Sequence, residues 1–529
     1  SFVPGVPALN QEQRELGILP WWVPDTMRAR LWRPVTVLTH LADHALAPRS
    51  ALFAHAQSLA WLALLVGLTT AFLRRVHGAT WVAGLAALLY AVDEAHGLPA
   101  GWLANRNALV TGVLGVATLL LHDRWRRDGW TPGAWLAPGA LALGLLAGEA
   151  AIATTAYLFA HALFLDSGTR RARWGRLAPY AAVVVAWRVA YSTLGYGSVG
   201  SGLYLDPVAS PLAFLRGLPA RTLALLADQL LSFPSLVVAF LPPPVGALLT
   251  IGLAAALGAL LWVAAPALRG SREAKFWATG MVLAVVPVAA TFPAARLLTF
   301  VGIGGAALIA QVCARVAPES REDLALLDGR ELRALRRLAV LLGVLHLVVA
   351  PLALPAQAFS VRVLDAALFA PCEEAVPRET AVAEQTIVYV NSNDMCVAFV
   401  MLRRAATGAP GPRRVRLLAS ALYEIQVTGV DEHTLDLHIA AGMHSTPADA
   451  LLRPAEDPIA VGAVVQLSDV RYEVLSHNAA GLVDRVRVRF TKELSDPSLV
   501  WRSTRGYRPA EFVPPGRGET VLLPRMGGG

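Results

Sequence analysis

Between residues 51 and 355 the chain is dominated by apolar runs, most of them near the length that crosses a bilayer, separated by more polar segments. About 20 apolar residues in helical form span the hydrocarbon core, where every backbone N–H and C=O must find its partner within the protein. Candidate spans lie near 52–73, 78–95, 105–121, 134–148, 150–165, 176–195, 222–241, 245–266, 275–292, 295–315 and 337–355. The expected fold class is therefore a mainly α polytopic membrane bundle of about eleven hydrophobic segments. A small α+β, β-rich domain is expected to follow it.

Composition agrees with this division. Charged residues make up 16% of the chain, against about 25% in soluble domains, and mean hydropathy is +0.50. The depletion lies in 51–355, and charge returns to ordinary density from 356 onward. The net charge of +8 is nearly all arginine, since Lys275 and Lys492 are the only lysines. There is no basic patch interleaved with aromatics and no nucleic-acid-binding motif, so nucleic acid is excluded as an expected partner. The basic residues lie between apolar runs instead. By the positive-inside rule, Arg74 and Arg75, Arg124 to Arg127, Arg170 to Arg176 and Arg321 to Arg337 face the cytoplasm. Residues 1–50, the 96–104 turn and the 196–220 loop then face outward. Segment 222–241, which holds Asp228, Gln229 and Pro234, is expected to enter and leave on that outer side as a broken helix pair.

The expected domains are an outer loop and helix start (1–50), the membrane unit (51–355), a connecting helix or linker (356–385) and an outer β-rich domain (386–529). TIVYVN reads as a strand and NDMCVAFVMLRRAATG as a capped helix ending in glycine. RVRLLASALYEIQV, TLDLHI, AVVQL, VRYEVL and DRVRVRF alternate apolar and polar residues as strands do. Cys372 and Cys396 both fall in this outer part, where an oxidising periplasm favours a disulfide. Two unpaired thiols are the alternative. His433, His438 and His444 lie near Asp431 and Asp436 but show no recognised metal-ligand spacing, so no metal site is expected there.

The polar chemistry concentrates at the outer ends of the spans. DEAHGLPAGWLANRNALVTG carries Asp93, Glu94, His96, Trp102, Asn105 and Arg106 between two apolar runs. A polar turn with Asn105 and Arg106 capping or snorkelling is one reading. The other is an outward pocket where Arg106 grips an anion, because the guanidinium fork matches phosphate oxygens. LWRPVTVLTHLADHAL sets Arg33 before a helix that also carries His40, Asp43 and His44. LLAGEAAIATTAY buries Glu149 with no basic residue near it in sequence, and TFPAARLLTF puts Arg296 just past an outer turn. Charges near mid-bilayer cost about 2.5–3.5 kcal/mol each, so they are expected to be paired or functional. Arg33, Arg106 and Arg296 together form a candidate pocket for phosphate or pyrophosphate.

The order of these pieces resembles the GT-C superfamily of membrane glycosyltransferases, in particular the protein O-mannosyltransferase type and its bacterial relatives. In that group an outer loop leads into an Arg-Pro helix start, matched by Arg33-Pro34. An outer turn follows that ends on arginine at the next helix, matched by Trp102 through Arg106. A hydrophobic hairpin broken by Lys-Glu comes next, matched by Gly148-Glu149 with glycine in place of lysine. The resemblance covers residues 1–355. It implies a polyprenyl-phosphate sugar donor in an outer cavity and inverting transfer to an acceptor. A carboxylate in the first outer loop would act as general base or metal ligand, so a divalent cation is a candidate cofactor. That acid is expected upstream of residue 1, or else Glu12, Glu15 or Asp25 fills the role, or the protein is inactive. The implied location is a bacterial inner membrane with the C-terminal domain in the periplasm. The competing readings are a non-catalytic scaffold of the same build, and a lipid or solute transporter, which would show inverted repeats that are not seen in this sequence.

Overall fold

A computed structural model of the chain describes residues 3–241, 243–317, 328–445, 451–454 and 456–526. Of the expected cytoplasmic arginine group, Arg321 lies outside the described residues. The chain divides into two units: one is Leu31–Tyr196 with Asp206–Val361, and the other is Ser1–Arg30, Gly197–Leu205 and Arg362–Gly529. The first thirty residues thus group with the C-terminal part.

The first unit is helical. Four helical runs are long and apolar enough to cross a membrane among the described residues, namely Ala51–His77, Leu103–Asp128, Pro244–Leu268 and Gly329–Glu374, the last ending beyond Val361, where this unit stops. Trp81–Ala91, Gly133–Ala147 and Val301–Arg315 are shorter apolar helices. Local signals set the helix ends. Ser50, Thr80 and Ser271 accept the N–H of Phe53, Ala83 and Ala274 as N-caps, and Gly129 closes Arg106–Asp128 at φ 72°. The last run begins at an Asp328–Glu331 capping box. It widens into π-helical turns at Leu345–Val349 and Asp365–Phe369. Pro351 and Pro371 follow these turns, and a proline ring collides with the carbonyl four residues earlier in a regular α-helix.

Close packing depends on small residues. The Tyr157 hydroxyl donates to the Phe300 carbonyl at 2.7 Å and accepts from the Gly304 N–H at 3.0 Å. Gly280 lies against the same ring, where an added Cβ would stand 2.3 Å from Tyr157 Cδ1. Helices Thr154–Phe164, Arg272–Val288 and Val301–Arg315 are thereby locked together, the use of glycine expected between membrane helices.

The arginines expected on the cytoplasmic side gather at one end of this unit. Arg75 Nε donates to Asp123 at 2.5 Å, Arg126 grips Asp166 through two bonds of 2.7 and 2.9 Å, and Arg173 Nε donates to the Gly168 carbonyl at 2.6 Å. Helix Pro211–Leu231 does not reach that end. Arg221 donates to the carbonyl of Ala289, and Gln229 donates to Asp93 at 2.8 Å, both at the opposite end. The helix breaks at Ser232 (φ 49°), and a 3₁₀ run Ser235–Phe240 follows. The break falls within the segment expected to be a broken pair.

In the second unit β1 (Val3–Pro4), β2 (Arg28–Arg30) and β3 (Gly197–Val199) form a small antiparallel sheet. Ten further strands follow: β4 (Thr386–Ser392), β5 (Arg414–Ser420), β6 (Ile425–Asp431), β7 (Thr434–His438), β8 (Val464–Gln466), β9 (Val470–His477), β10 (Val483–Phe490), β11 (Leu499–Arg505), β12 (Arg508–Glu511) and β13 (Thr520–Leu523). A six-stranded antiparallel sheet runs β13-β6-β7-β10-β9-β8, and a four-stranded sheet runs β12-β11-β4-β5. Central β4 is buried throughout and pairs in parallel with β5 and β11, as a strand covered on both faces requires. Helix Asp394–Thr407, capped by Asn393 and ended by Gly408, joins β4 to β5.

Within residues 1–50, Pro7–Leu16 is a helix, Trp21 and Trp22 enter the core of the β-rich unit, and a further helix starts at Pro34. Trp21 stacks on Tyr472 at 4.8 Å and donates to the Leu418 carbonyl at 3.1 Å. Two adjacent indoles expose a large apolar area in water, and this core removes it.

Candidate functional site

The polar residues at the end of the helical unit opposite the arginine cluster form two linked groups. In the first, Pro34 starts helix Pro34–Leu46 and leaves Arg33 at its N-cap without a capping bond. The Arg33 side chain extends to Glu149, with Nε 2.8 Å from Oε2. Tyr191 donates its hydroxyl to the other carboxylate oxygen at 3.2 Å. The Thr36 hydroxyl donates to the Ala147 carbonyl at 2.7 Å, which fixes the helix against the turn that carries Glu149. Gly148 makes this turn possible, since a Cβ there would stand 2.7 Å from Thr111 Oγ1. The partner that Glu149 lacked in sequence is thus 116 residues upstream. Arg33 and Glu149 remain 28% and 25% exposed, so the pair faces open space on one side.

Arg106 is the centre of the second group, and its side chain is wholly buried. Asp43 Oδ2 lies 2.6 Å from Nη1. Ser58 Oγ and the Ala54 carbonyl accept from Nε and Nη2 at 3.0 and 2.7 Å, and Gln57 Oε1 accepts from Nη1. This arginine is enclosed by protein groups rather than presented to a pocket, and Asn105 makes no capping bond. Trp102 stays 39% exposed. Arg296 lies over its ring at 5.5 Å and over Phe292 at 5.3 Å. Asp93 caps the following 3₁₀ turn through the Ala95 N–H at 2.9 Å. His96 is buried, with Nε2 2.8 Å from the Tyr90 carbonyl, and Glu94 is buried beside it. Each of the three arginines expected to share one phosphate therefore has its own protein counterparts.

The candidate acids lie in the β-rich unit. Glu12 is exposed on its helix. Glu15 accepts from the N–H and hydroxyl of Ser468, the latter at 2.7 Å, and lies 3.6 Å from Arg416. Asp25 pairs with Arg14. The last two are thus engaged in holding this unit together. Cys372 and Cys396 form a disulfide with Cα atoms 5.6 Å apart. Asp436 grips Arg487 through two bonds of 2.8 Å, and His438 pairs with Gln426. Burial first, and the Arg453 charge second, press the His444 imidazole down to about 4. No group of three or more His, Cys, Asp or Glu side chains is placed to hold a metal ion among the described residues.

Sequence reasoning named both ends of the Arg33–Glu149 contact but could not join them, and it missed Tyr191. An Arg-Pro helix start and a Gly-Glu turn carry local signals. A tyrosine at the end of an apolar helix does not differ in sequence from an interfacial anchor.

No protein-family model matches the chain, and no curated protein matches it. Among solved structures, the chain is similar to the crystal structure of ArnT from Cupriavidus metallidurans bound to undecaprenyl phosphate. The two are 14% identical, and the alignment covers 78% of this chain and 85% of that one with a TM-score of 0.37. A likeness at this level fixes neither family nor activity.

Proposed function

We propose that the helical unit is a membrane glycosyltransferase of the GT-C kind, moving a sugar from a polyprenyl-phosphate carrier to an acceptor on the outer side of the bilayer. The observation that carries this reading is convergence. The Arg-Pro helix start, the turn ending at Arg106 and the Gly-Glu turn are far apart in sequence. They meet through Arg33–Glu149, Thr36–Ala147 and Arg106–Asp43. Burying an ion costs several kcal/mol even when it is paired. Arg106–Asp43 is such a buried pair, and it fixes the helix that begins at Arg33, whose own pair with Glu149 stays about a quarter exposed and open to a ligand. In this reading half-buried Arg33 and Arg296 contact the carrier phosphate and stabilise it as it leaves. Arg106 is a positioning residue that holds helix Pro34–Leu46 in place through Asp43. The general base that takes the acceptor proton is not assigned among the described residues.

A second reading, a non-catalytic scaffold, draws support from the enclosure of Arg106 and from the engagement of Glu15 and Asp25 within the β-rich unit. Lipid mass spectrometry on the gently purified full chain separates the two. A co-purified polyprenyl-phosphate sugar that is lost from Arg33→Gln supports the transferase. Phospholipid alone in both preparations overturns it in favour of the scaffold.

A further inference from the structure

Arg33 and Glu149 are the inner members of a larger group, and of that group the phosphate site uses Arg33 alone. Trp32, next to Arg33, stacks on Tyr196 with ring centroids 5.7 Å apart and planes within 16°. Tyr196 meets Tyr191 at 5.7 Å, and Tyr191 meets Trp187 at 5.0 Å. Tyr191 is the residue whose hydroxyl reaches Glu149. Arg188 stands 5.7 Å from the Tyr191 ring and is held by both carboxylate oxygens of Asp206, at 2.9 and 3.0 Å. Four aromatic rings and two arginine–carboxylate pairs thus alternate at the end of helix Ala178–Thr193. All except Tyr191 are half-buried.

An aromatic belt explains rings at a membrane interface, with their polar edges turned to the headgroups. It does not explain two carboxylates and two guanidinia set between the rings. Nor does it explain why Arg188 Nε and Trp187 Nε1 are buried without an acceptor in the protein, since each orphaned donor costs about 1–3 kcal/mol. Flat apolar faces bordered by fixed donors and acceptors match one ligand chemistry well, the pyranose ring. Its C–H face packs on an aromatic ring, and its hydroxyls need both donors and acceptors around the rim. The location agrees with this, because a sugar joined to a carrier phosphate lies one glycosidic oxygen away from it. A sugar site must therefore abut the phosphate ligand, and Trp32 is adjacent to Arg33.

We propose that Trp32, Tyr196, Tyr191 and Glu149, with Arg188 and Asp206 at the rim, form the subsite for the pyranose carried by the lipid phosphate, an inference that rests on the transferase reading for its ligand. Saturation-transfer NMR on the full chain in detergent tests it, with the methyl glycosides of glucose, mannose, galactose, N-acetylglucosamine and arabinopyranose as probes. Irradiating protein aromatic protons transfers saturation to the ring protons of at least one glycoside. The transfer falls about five-fold, or about 1 kcal/mol, in Trp32→Ala and in Tyr196→Ala. It is unchanged in Trp135→Ala, whose ring is 83% exposed on another helix. Unfolding midpoints matching the wild type confirm that the variants are folded. No transfer above protein-free micelles with any glycoside, or equal transfer in Trp32→Ala and wild type, overturns the subsite. A carrier-linked sugar found by mass spectrometry together with no glycoside transfer refutes the subsite and leaves the transferase intact. Glycoside transfer with phospholipid alone refutes the transferase and leaves a sugar site.

Discussion

Replacing Arg106 by methionine keeps most of the side-chain volume and removes the guanidinium from a wholly buried position. Asp43 is then left as a carboxylate with 10% exposure and no cation, and Ser58 and the Ala54 carbonyl lose their donor. Removing one partner of a buried ion pair costs about 3–5 kcal/mol, because the other charge is stranded. The small opening at Asp43 admits some relief, so the expected loss is about 3 kcal/mol. Adding Asp43→Leu removes the stranded charge, and replacing a whole buried pair by apolar groups is nearly neutral. The double variant should therefore be about 2 kcal/mol more stable than Arg106→Met alone. Equilibrium unfolding in mixed micelles, followed by tryptophan emission, gives the four corners of the cycle. Arg106→Met unfolding at the wild-type midpoint, or a coupling energy under about 0.5 kcal/mol, would refute the assignment of Arg106 to helix positioning.

Glu149→Gln leaves Arg33 without its counter-charge, and at about a quarter exposure solvent screening limits the loss to about 1–2 kcal/mol. Unfolding in the same micelles checks it, and a loss above that range would mean that Glu149 holds more of the bundle than Arg33 and Tyr191. The buried His444 makes the β-rich unit acid-sensitive. Its folded pKa, about 4, lies below the ordinary 6.5, so the unfolded chain takes the proton first. Stability is full above about pH 6.5 and falls by up to about 3 kcal/mol on the way to pH 4. His444→Asn, which tolerates the φ of 61°, flattens that slope in denaturant titrations, and an unchanged slope would remove His444 as its source. Paired Cys372→Ser and Cys396→Ser substitutions open a cross-link with a sequence separation of 24 residues, which should cost about 3 kcal/mol. Equal denaturation midpoints for the variant and the wild type would show that the cross-link contributes nothing to stability.

The helices and most strands are legible in the sequence because their hydrogen bonds are local. A bilayer-length apolar run must satisfy its own backbone. Ser50, Thr80 and Ser271 accept N–H groups three residues ahead, and period-two alternation in VRYEVL and DRVRVRF fixes one buried face. No strand is expected beyond DRVRVRF, yet β11, β12 and β13 lie there. Strand β11 is stabilised by pairing with β4, more than a hundred residues upstream, and nothing in its own residues selects that partner.

The candidate site divides in the same way. The sequence determined that Arg33, Arg106, Glu149 and Arg296 are charges in apolar surroundings, each needing a partner or a task. Only the tertiary structure decided that Arg33 meets Glu149 and Tyr191, that Arg106 is enclosed with Asp43, and that Trp32 and Tyr196 stack beside them. It also decided that Trp21 and Trp22 belong to the β-rich core. The physical reason is that the cost of burying a charge or an indole is a property of the residue. The choice of partner that offsets that cost depends on which distant segments the whole fold brings within a few ångströms.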